Sequence, residues 1–188
     1  MTDKKKAILE SLKGGLIVSC QVQHDDPVYS EDFVLKMANA AEWAGAVGIR
    51  ANSPEQIRLI KEHVKLPMIG LYKIWHDDTD VFITPTLEAA KQVWEAGAEI
   101  IALDCTAQIT HEGRPAYELL PIVKKEIPDA LIFADVSNYE EAKRAVEMGA
   151  DAVVVGSAIT RPHLIAKRFV DLMSGLQSNW RDAERSKH

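Results

Sequence analysis

Several side chains suited to moving protons or holding anions stand directly after short apolar runs in this chain. Gln21 follows Cys20 and the run 16–19, Arg50 follows 46–49, and Lys73 follows 68–72. Asp104 follows 100–103, Asp135 follows 131–134, and Gly156 follows 152–155. An amine at the rim of apolar strands loses hydration, which favours the neutral form, a usable base or a Schiff-base nucleophile. Lys73 has that placement, and an exposed loop lysine is the plain alternative. Arg50 offers a forked guanidinium to a carboxylate or phosphate, or an ion pair to Asp104. Asp104 can accept from sugar hydroxyls or orient Lys73, whereas Asp135 is expected to cap its loop. The segment Gly156-Ser157-Ala158-Ile159-Thr160-Arg161-Pro162 combines small residues, a helix start and a cation. Backbone N–H groups there can approach a phosphate, with Arg161 in reach, though an ordinary strand-to-helix turn reads the same way.

Other chemistry-bearing clusters have weaker patterns. His76-Asp77-Asp78-Thr79-Asp80 and His24-Asp25-Asp26 hold metal-capable side chains, but their spacing matches no metal motif. Solvated acidic loops, with no metal, are the expectation. Trp75, two residues after Lys73, suits sugar stacking or a lid, while Trp43 and Trp94 are expected to pack helix against strand. No serine–histidine triad pattern or Walker-type glycine loop is present.

Helical periodicity separates each apolar run from the next, so the order reads β-α-β-α. Residues 4–13 form a short amphipathic helix stopped by Gly14-Gly15. Ser30-Glu31-Asp32 and Ser53-Pro54-Glu55-Gln56 are helix starts, the second with capping-box spacing and an N1 proline. Thr86, Arg114-Pro115, Asn138 and Arg161-Pro162 start the remaining helices, and the tail from 175 to 188 is polar. Trp43-Ala44-Gly45-Ala46, Glu95-Ala96-Gly97-Ala98 and Glu147-Met148-Gly149-Ala150 recur at an interval of 52 residues. Each glycine falls where a helix must turn into a strand, so a left-handed backbone is expected there. One such period holds two βα units, three give six strands, and a closed eight-unit barrel needs a fourth.

The chain has 188 residues, 47% of them hydrophobic, which suits one domain with a sizeable core. A net charge of −6 argues against a nucleic-acid or membrane surface. Two cysteines, Cys20 and Cys105, make a disulfide framework improbable and suggest a reduced, cytoplasmic protein. The basic start lacks an apolar signal core, and no apolar stretch is long enough to span a bilayer.

The strand-end segments, taken together, resemble the bacterial N-acetylmannosamine-6-phosphate 2-epimerase family, a TIM barrel of sialic-acid catabolism. The resembling stretches include Leu16-Ile17-Val18-Ser19-Cys20-Gln21, Gly48-Ile49-Arg50-Ala51-Asn52 and Pro67-Met68-Ile69-Gly70-Leu71-Tyr72-Lys73. Ile83-Thr84-Pro85-Thr86, Ile101-Ala102-Leu103-Asp104-Cys105-Thr106, Ala134-Asp135-Val136-Ser137 and the Val155–Pro162 region continue it in family order. The resemblance implies an α/β fold, a TIM-type (β/α) barrel shortened to six of eight βα units. It implies that Lys73 moves the C2 proton of an open-chain amino sugar phosphate. Gln21, Arg50, Asp104 and Arg161 would contact substrate, and Gly156 and Ser157 would help hold the phosphate. No metal or nucleotide cofactor is implied. The family carries two further βα units between the strand ending near Asp135 and the last strand. Those units hold a catalytic glutamate, in a Glu-Gly-Arg-Ile-like segment, and the other half of the phosphate site, and neither has a counterpart here.

Six strands leave three closures: a reshaped barrel, a sheet completed by another chain, or a truncated inactive relative. A homodimer is the favoured expectation. The rival functions are a Schiff-base sugar-phosphate aldolase or lyase using Lys73, and a non-catalytic relative that binds a sugar phosphate.

Overall fold

Hydroxyl and amide caps set where the helices begin. Thr2, Ser30, Ser53, Thr86 and Asn138 each accept the backbone N–H of the residue three places on, satisfying a donor that has no partner within the helix. The computed structural model describes residues 2–22 and 29–155. The helices are α1 (Asp3–Leu12), α2 (Glu31–Trp43), α3 (Pro54–His63), α4 (Leu87–Glu95), α5 (Leu119–Glu126) and α6 (Tyr139–Glu147). Between them run β1 (Ile17–Cys20), β2 (Gly48–Asn52), β3 (Met68–Leu71), β4 (Ile100–Asp104), β5 (Leu131–Val136) and β6 (Ala152–Val155). The six apolar runs are thus six strands. Arg50 and Asp135 lie inside β2 and β5 rather than beyond them, because pairing with the neighbouring strand extends past the apolar stretch.

The strands lie in one sheet in sequence order, β1 to β6, with β1 through β5 paired in parallel. Alternation along each strand splits the core in two. Ile49, Ala51, Met68, Ile101, Leu103, Ile132 and Ala134 pack against the helices. On the opposite face Ile69, Leu71, Ile100, Ala102, Leu131 and Phe133 form a second cluster with Leu12 of α1. Helix α1 lies against the N-terminal end of this inner face. A Cβ on Gly48 would stand 2.7 Å from Leu12, so the glycine makes room for that side chain. Lys5, nearly buried, fastens the helix from the far side by donating to the Pro128 carbonyl at 2.6 Å.

The 52-residue repeat is visible as a physical device. Gly45, Gly97 and Gly149 have φ of 85°, 103° and 97°, the left-handed region expected of them. Two residues after Gly97, Glu99 accepts the Met68 N–H at 2.9 Å and the Lys61 ammonium at 2.6 Å. Two residues after Gly149, Asp151 accepts the Ile132 N–H at 2.9 Å and the Lys124 ammonium at 3.2 Å. In each case an acid entering one strand holds the start of its neighbour, with a lysine from the helix that precedes that neighbour.

Two local expectations differ from the structure. The capping box at α3 is half formed: Ser53 caps, but the Gln56 amide donates to the Val22 carbonyl at 2.8 Å instead of returning to the cap. Trp94 packs against the core as expected, whereas Trp43, in the last turn of α2, is 91% exposed. The helix presents that residue away from the sheet. The start expected at Arg161-Pro162 and the polar tail lie outside the described residues.

Candidate active site

Period-two alternation places the chemistry. Arg50 and Asn52 of β2, Asp104 of β4 and Asp135 of β5 continue the rows that carry the inner cluster, and Lys73 follows two residues after Leu71. All stand at the C-terminal ends of the strands, where active sites of parallel α/β barrels are built. Asp104 and Asp135 are direct partners in register.

Arg50 and Asp135 form the central pair. One guanidinium nitrogen, Nη2, lies 2.9 Å from both carboxylate oxygens of Asp135, and each side chain is 16% exposed. Burial pushes the Asp135 carboxyl up, opposed first by Arg50 and less by the Lys73 charge. The field of Lys73 therefore reaches this pair. Asp104 plays the other part: its Oδ1 accepts the Thr106 N–H at 2.9 Å and the Thr106 hydroxyl at 2.7 Å. Burial raises its carboxyl too, against the Thr106 hydrogen bonds. The two expectations are thus exchanged. Asp104 caps its own turn and does not pair with Arg50. Asp135, expected as a cap, is the arginine's partner. Gln21, half-buried on β1's side of the site, donates its amide to Ser19 at 2.8 Å.

The backbone that carries Lys73 is held from both sides. Its N–H donates to the buried Asn52 Oδ1 at 2.9 Å, and Ser53 donates its N–H to the Leu71 carbonyl at 2.9 Å. Thr84, fully buried, accepts the Tyr72 N–H on its hydroxyl at 3.1 Å and returns its own N–H to the Tyr72 carbonyl at 2.9 Å. Ser53 and Thr84 are also the two non-glycine residues with positive φ among the described residues, at 66° and 48°. Such conformations cost about 1–3 kcal/mol each and persist where surrounding structure enforces them, often at functional sites. Here both strained residues grip the segment that ends on the lysine. Sequence reading missed Asn52 and Thr84, although both lie within the family-like stretches.

Beyond Lys73 the chain turns back as a short antiparallel arm. Lys73 pairs with Ile83, Ile74 donates its N–H to the Phe82 carbonyl at 3.0 Å, and His76 pairs with Thr79. Trp75 stacks on Phe82 at 3.9 Å and remains 58% exposed, an aromatic face beside the site. Cys105, just past Asp104, has its thiol pushed up to about 12, by burial first and then by the charges of Asp104 and Asp135. It is no nucleophile, and burial raises Cys20 as well; both thiols are free. Glu141 on α6 accepts N–H groups from Ser137 and Ala107 and the Ser137 hydroxyl. Burial raises its carboxyl, but those bonds outweigh it and hold it low, so this acid is a brace for the loops.

Gly156, Ser157 and Arg161, and the His24 cluster, lie outside the described residues. Lys73, Arg50, Asp135, Asp104 and Asn52 are assembled at one end of the sheet. An amine, a guanidinium and two carboxylates there can exchange a proton with a bound carbonyl compound and stabilise the resulting anion.

Comparison with known proteins shows the family. The family described as "Putative N-acetylmannosamine-6-phosphate epimerase" matches residues 34–145 and 139–175. A Listeria monocytogenes protein named as a 2-epimerase of this kind is 42% identical over 147 residues, 78% of this chain and 64% of that one. The chain thus spans just under two thirds of the length of the Listeria relatives it matches. A Lactiplantibacillus plantarum relative is 39% identical over 227 residues, covering 90% of this chain and 100% of its own. That alignment is longer than this 188-residue chain, and the family is matched in two pieces that overlap inside α6. Both facts support an internal stretch, about one 52-residue period long, without counterpart here. The solved N-acetylmannosamine-6-phosphate 2-epimerase from Clostridium perfringens superposes with a TM-score of 0.56 at 30% identity, over 88% of this chain and 96% of that one. The fold is accordingly of TIM-barrel type. With the family model matched over most of its length, the chain belongs to the N-acetylmannosamine-6-phosphate epimerase family.

Proposed function

We propose that the protein inverts C2 of N-acetylmannosamine 6-phosphate to give N-acetylglucosamine 6-phosphate, a step of amino sugar and sialic acid catabolism. The observation that carries this reading is the convergence of Lys73 with the buried Arg50–Asp135 pair at the strand ends of a chain in this family. In the open-chain sugar the C2–H lies beside an aldehyde. Lys73 as a neutral amine takes that proton, and the electron pair moves into the carbonyl to give an enolate oxygen. A nearby cation such as Arg50 stabilises this charge. Return of a proton from solvent to the opposite face of C2 restores the aldehyde and inverts the centre, and Lys73 gives the proton it took to solvent, so atoms and electrons balance. Asn52, Ser53 and Thr84 hold the lysine's backbone, so the amine meets C2 at low entropic cost. Asp104, Gln21 and Arg161 complete the sugar contacts in this reading, with Gly156 and Ser157 at the phosphate.

NMR in D₂O tests it. Either sugar phosphate incubated with the protein gains deuterium at C2, and the Lys73→Ala protein gives none. No deuterium entering C2 of either sugar with the intact protein overturns the reading. The reading also takes the enzyme to be cytoplasmic and homodimeric, a second copy completing the sheet. Among the described residues β1 pairs with β2 alone, which leaves it at the sheet's end. A monomer in light scattering at micromolar concentration removes that part. Among the described residues no helix is long and apolar enough to cross a membrane.

A further inference from the structure

The arm after β3 meets a second hairpin after β4. In that second loop Ile109 pairs with Pro115, Thr110 donates its N–H to the Arg114 carbonyl at 2.8 Å, and Ala116 donates to Gln108 at 2.9 Å. The Thr79 hydroxyl joins the two tips by donating to the Ile109 carbonyl at 2.6 Å. At this junction three side chains converge that the proton-transfer reading does not use: His76 and Asp78 from the first tip, His111 from the second. One donor atom from each lies within 4.8 Å of the other two. The His76 and His111 rings stack with centroids 4.3 Å apart and planes 2° from parallel. Asp78 surrounds His111 Nδ1 with both oxygens, at 2.9 and 2.8 Å.

We propose that His76, Asp78 and His111 bind a divalent transition-metal ion of the zinc class. The donor set argues the class: two imidazoles and one carboxylate suit zinc, nickel or copper, whereas calcium and magnesium want oxygen shells. The distances argue for feasibility. Two donors on one tetrahedral zinc stand about 3.3 Å apart, given bonds of roughly 2.0–2.1 Å. Asp78 and His111 are already near that spacing, and the His76 donor, within 4.8 Å of both, comes to the ion by a turn of its exposed ring out of the stack. Asp77 and Asp80 on the same tip add negative charge that attracts a cation. Both tips are already fixed by their own hydrogen bonds, which lowers the ordering cost of binding. Three protein donors leave a fourth position for water. A bound ion would join the loop that begins at Lys73 to the loop that begins beyond Asp104. The spacing in sequence gave no hint, because His111 lies 35 residues from His76 on a different hairpin.

Calorimetric titration of the full chain with zinc chloride alone tests the site. One equivalent binds, and His76→Ala, Asp78→Asn and His111→Ala each weaken it by more than the roughly 10-fold that loss of an outer-shell partner alone costs. His63→Ala, on α3 away from the junction, leaves it unchanged. Circular dichroism of each variant in the absence of zinc confirms the fold is kept. In the same titration followed by imidazole NMR, the His76 and His111 resonances move first. Absence of saturable binding, or unchanged affinity in the combined His76→Ala and His111→Ala protein, overturns the proposal. The readout does not involve epimerisation, so failure here leaves the proposed function standing, and the reverse holds too.

Discussion

The two ends of the sheet can be compared strand by strand. At the N-terminal end the same joint occurs twice, Lys61 with Glu99 on Met68 and Lys124 with Asp151 on Ile132, each behind a glycine of positive φ. At the C-terminal end no two described strands finish alike: Arg50 reaches across to Asp135, Asp104 turns back on Thr106, and β3 leads into a clamped lysine. Repetition at one end and individuality at the other is how a βα scaffold separates stability from chemistry. The repeated joints require only a neighbouring strand. The individual ends depend on one another across the mouth.

Substitutions at the two ends should therefore diverge in kind. The largest effect belongs to Arg50→Leu. It leaves Asp135 buried without its partner, at a cost of about 3 kcal/mol, and slows C2 exchange by about 100-fold or more. Without the guanidinium, the Asp135 carboxyl rises further above its unfolded value. A raised carboxyl contributes stability below its unfolded pKa and loses it as pH rises through the folded one. Urea melts should thus show the variant's deficit widening from pH 5 to pH 8; a deficit independent of pH would show that the pair is not what matters.

The second effect sits at the other end. Glu99→Ala and Asp151→Ala each remove a charge-assisted joint and cost about 1–3 kcal/mol in urea unfolding, with the exchange rate per folded molecule unchanged. Similar costs for the two support true equivalence, and a clear disparity breaks it. Smaller still, Gly97→Ala and Gly149→Ala force a Cβ into the left-handed region for about 1–2 kcal/mol each, measured by thermal melts.

Much of this scaffold is legible in the residues themselves. Caps such as Ser30, Thr86 and Asn138 act within three residues, and the glycine repeat marks helix-to-strand turns directly. Site partners were harder because they depend on register. Arg50 and Asp135 are 85 residues apart, and nothing local says which carboxylate the guanidinium meets. A local signal did distinguish the two aspartates. Both precede a hydroxyl residue by two places, but Ser137 is taken by Glu141, whose position follows from the helix start at Asn138. Thr106 stays available to Asp104 and satisfies it there. His111 carried no such signal, since a lone histidine in Thr110-His111-Glu112-Gly113 has no spacing relation to His76. The exposure of Trp43 depends on which way the end of α2 faces, which composition does not encode.

The paired joints make whole periods interchangeable parts. An acid that grips the start of the adjoining strand, braced by a lysine from the helix preceding that strand, recurs one period apart. A splice that omits one full period brings Asp151 against Ile132 in the relation Glu99 has to Met68, so the seam closes with the same bonds on both sides. The family match overlaps itself within α6, immediately before that seam. Loss of a complete period is therefore a change this architecture can absorb.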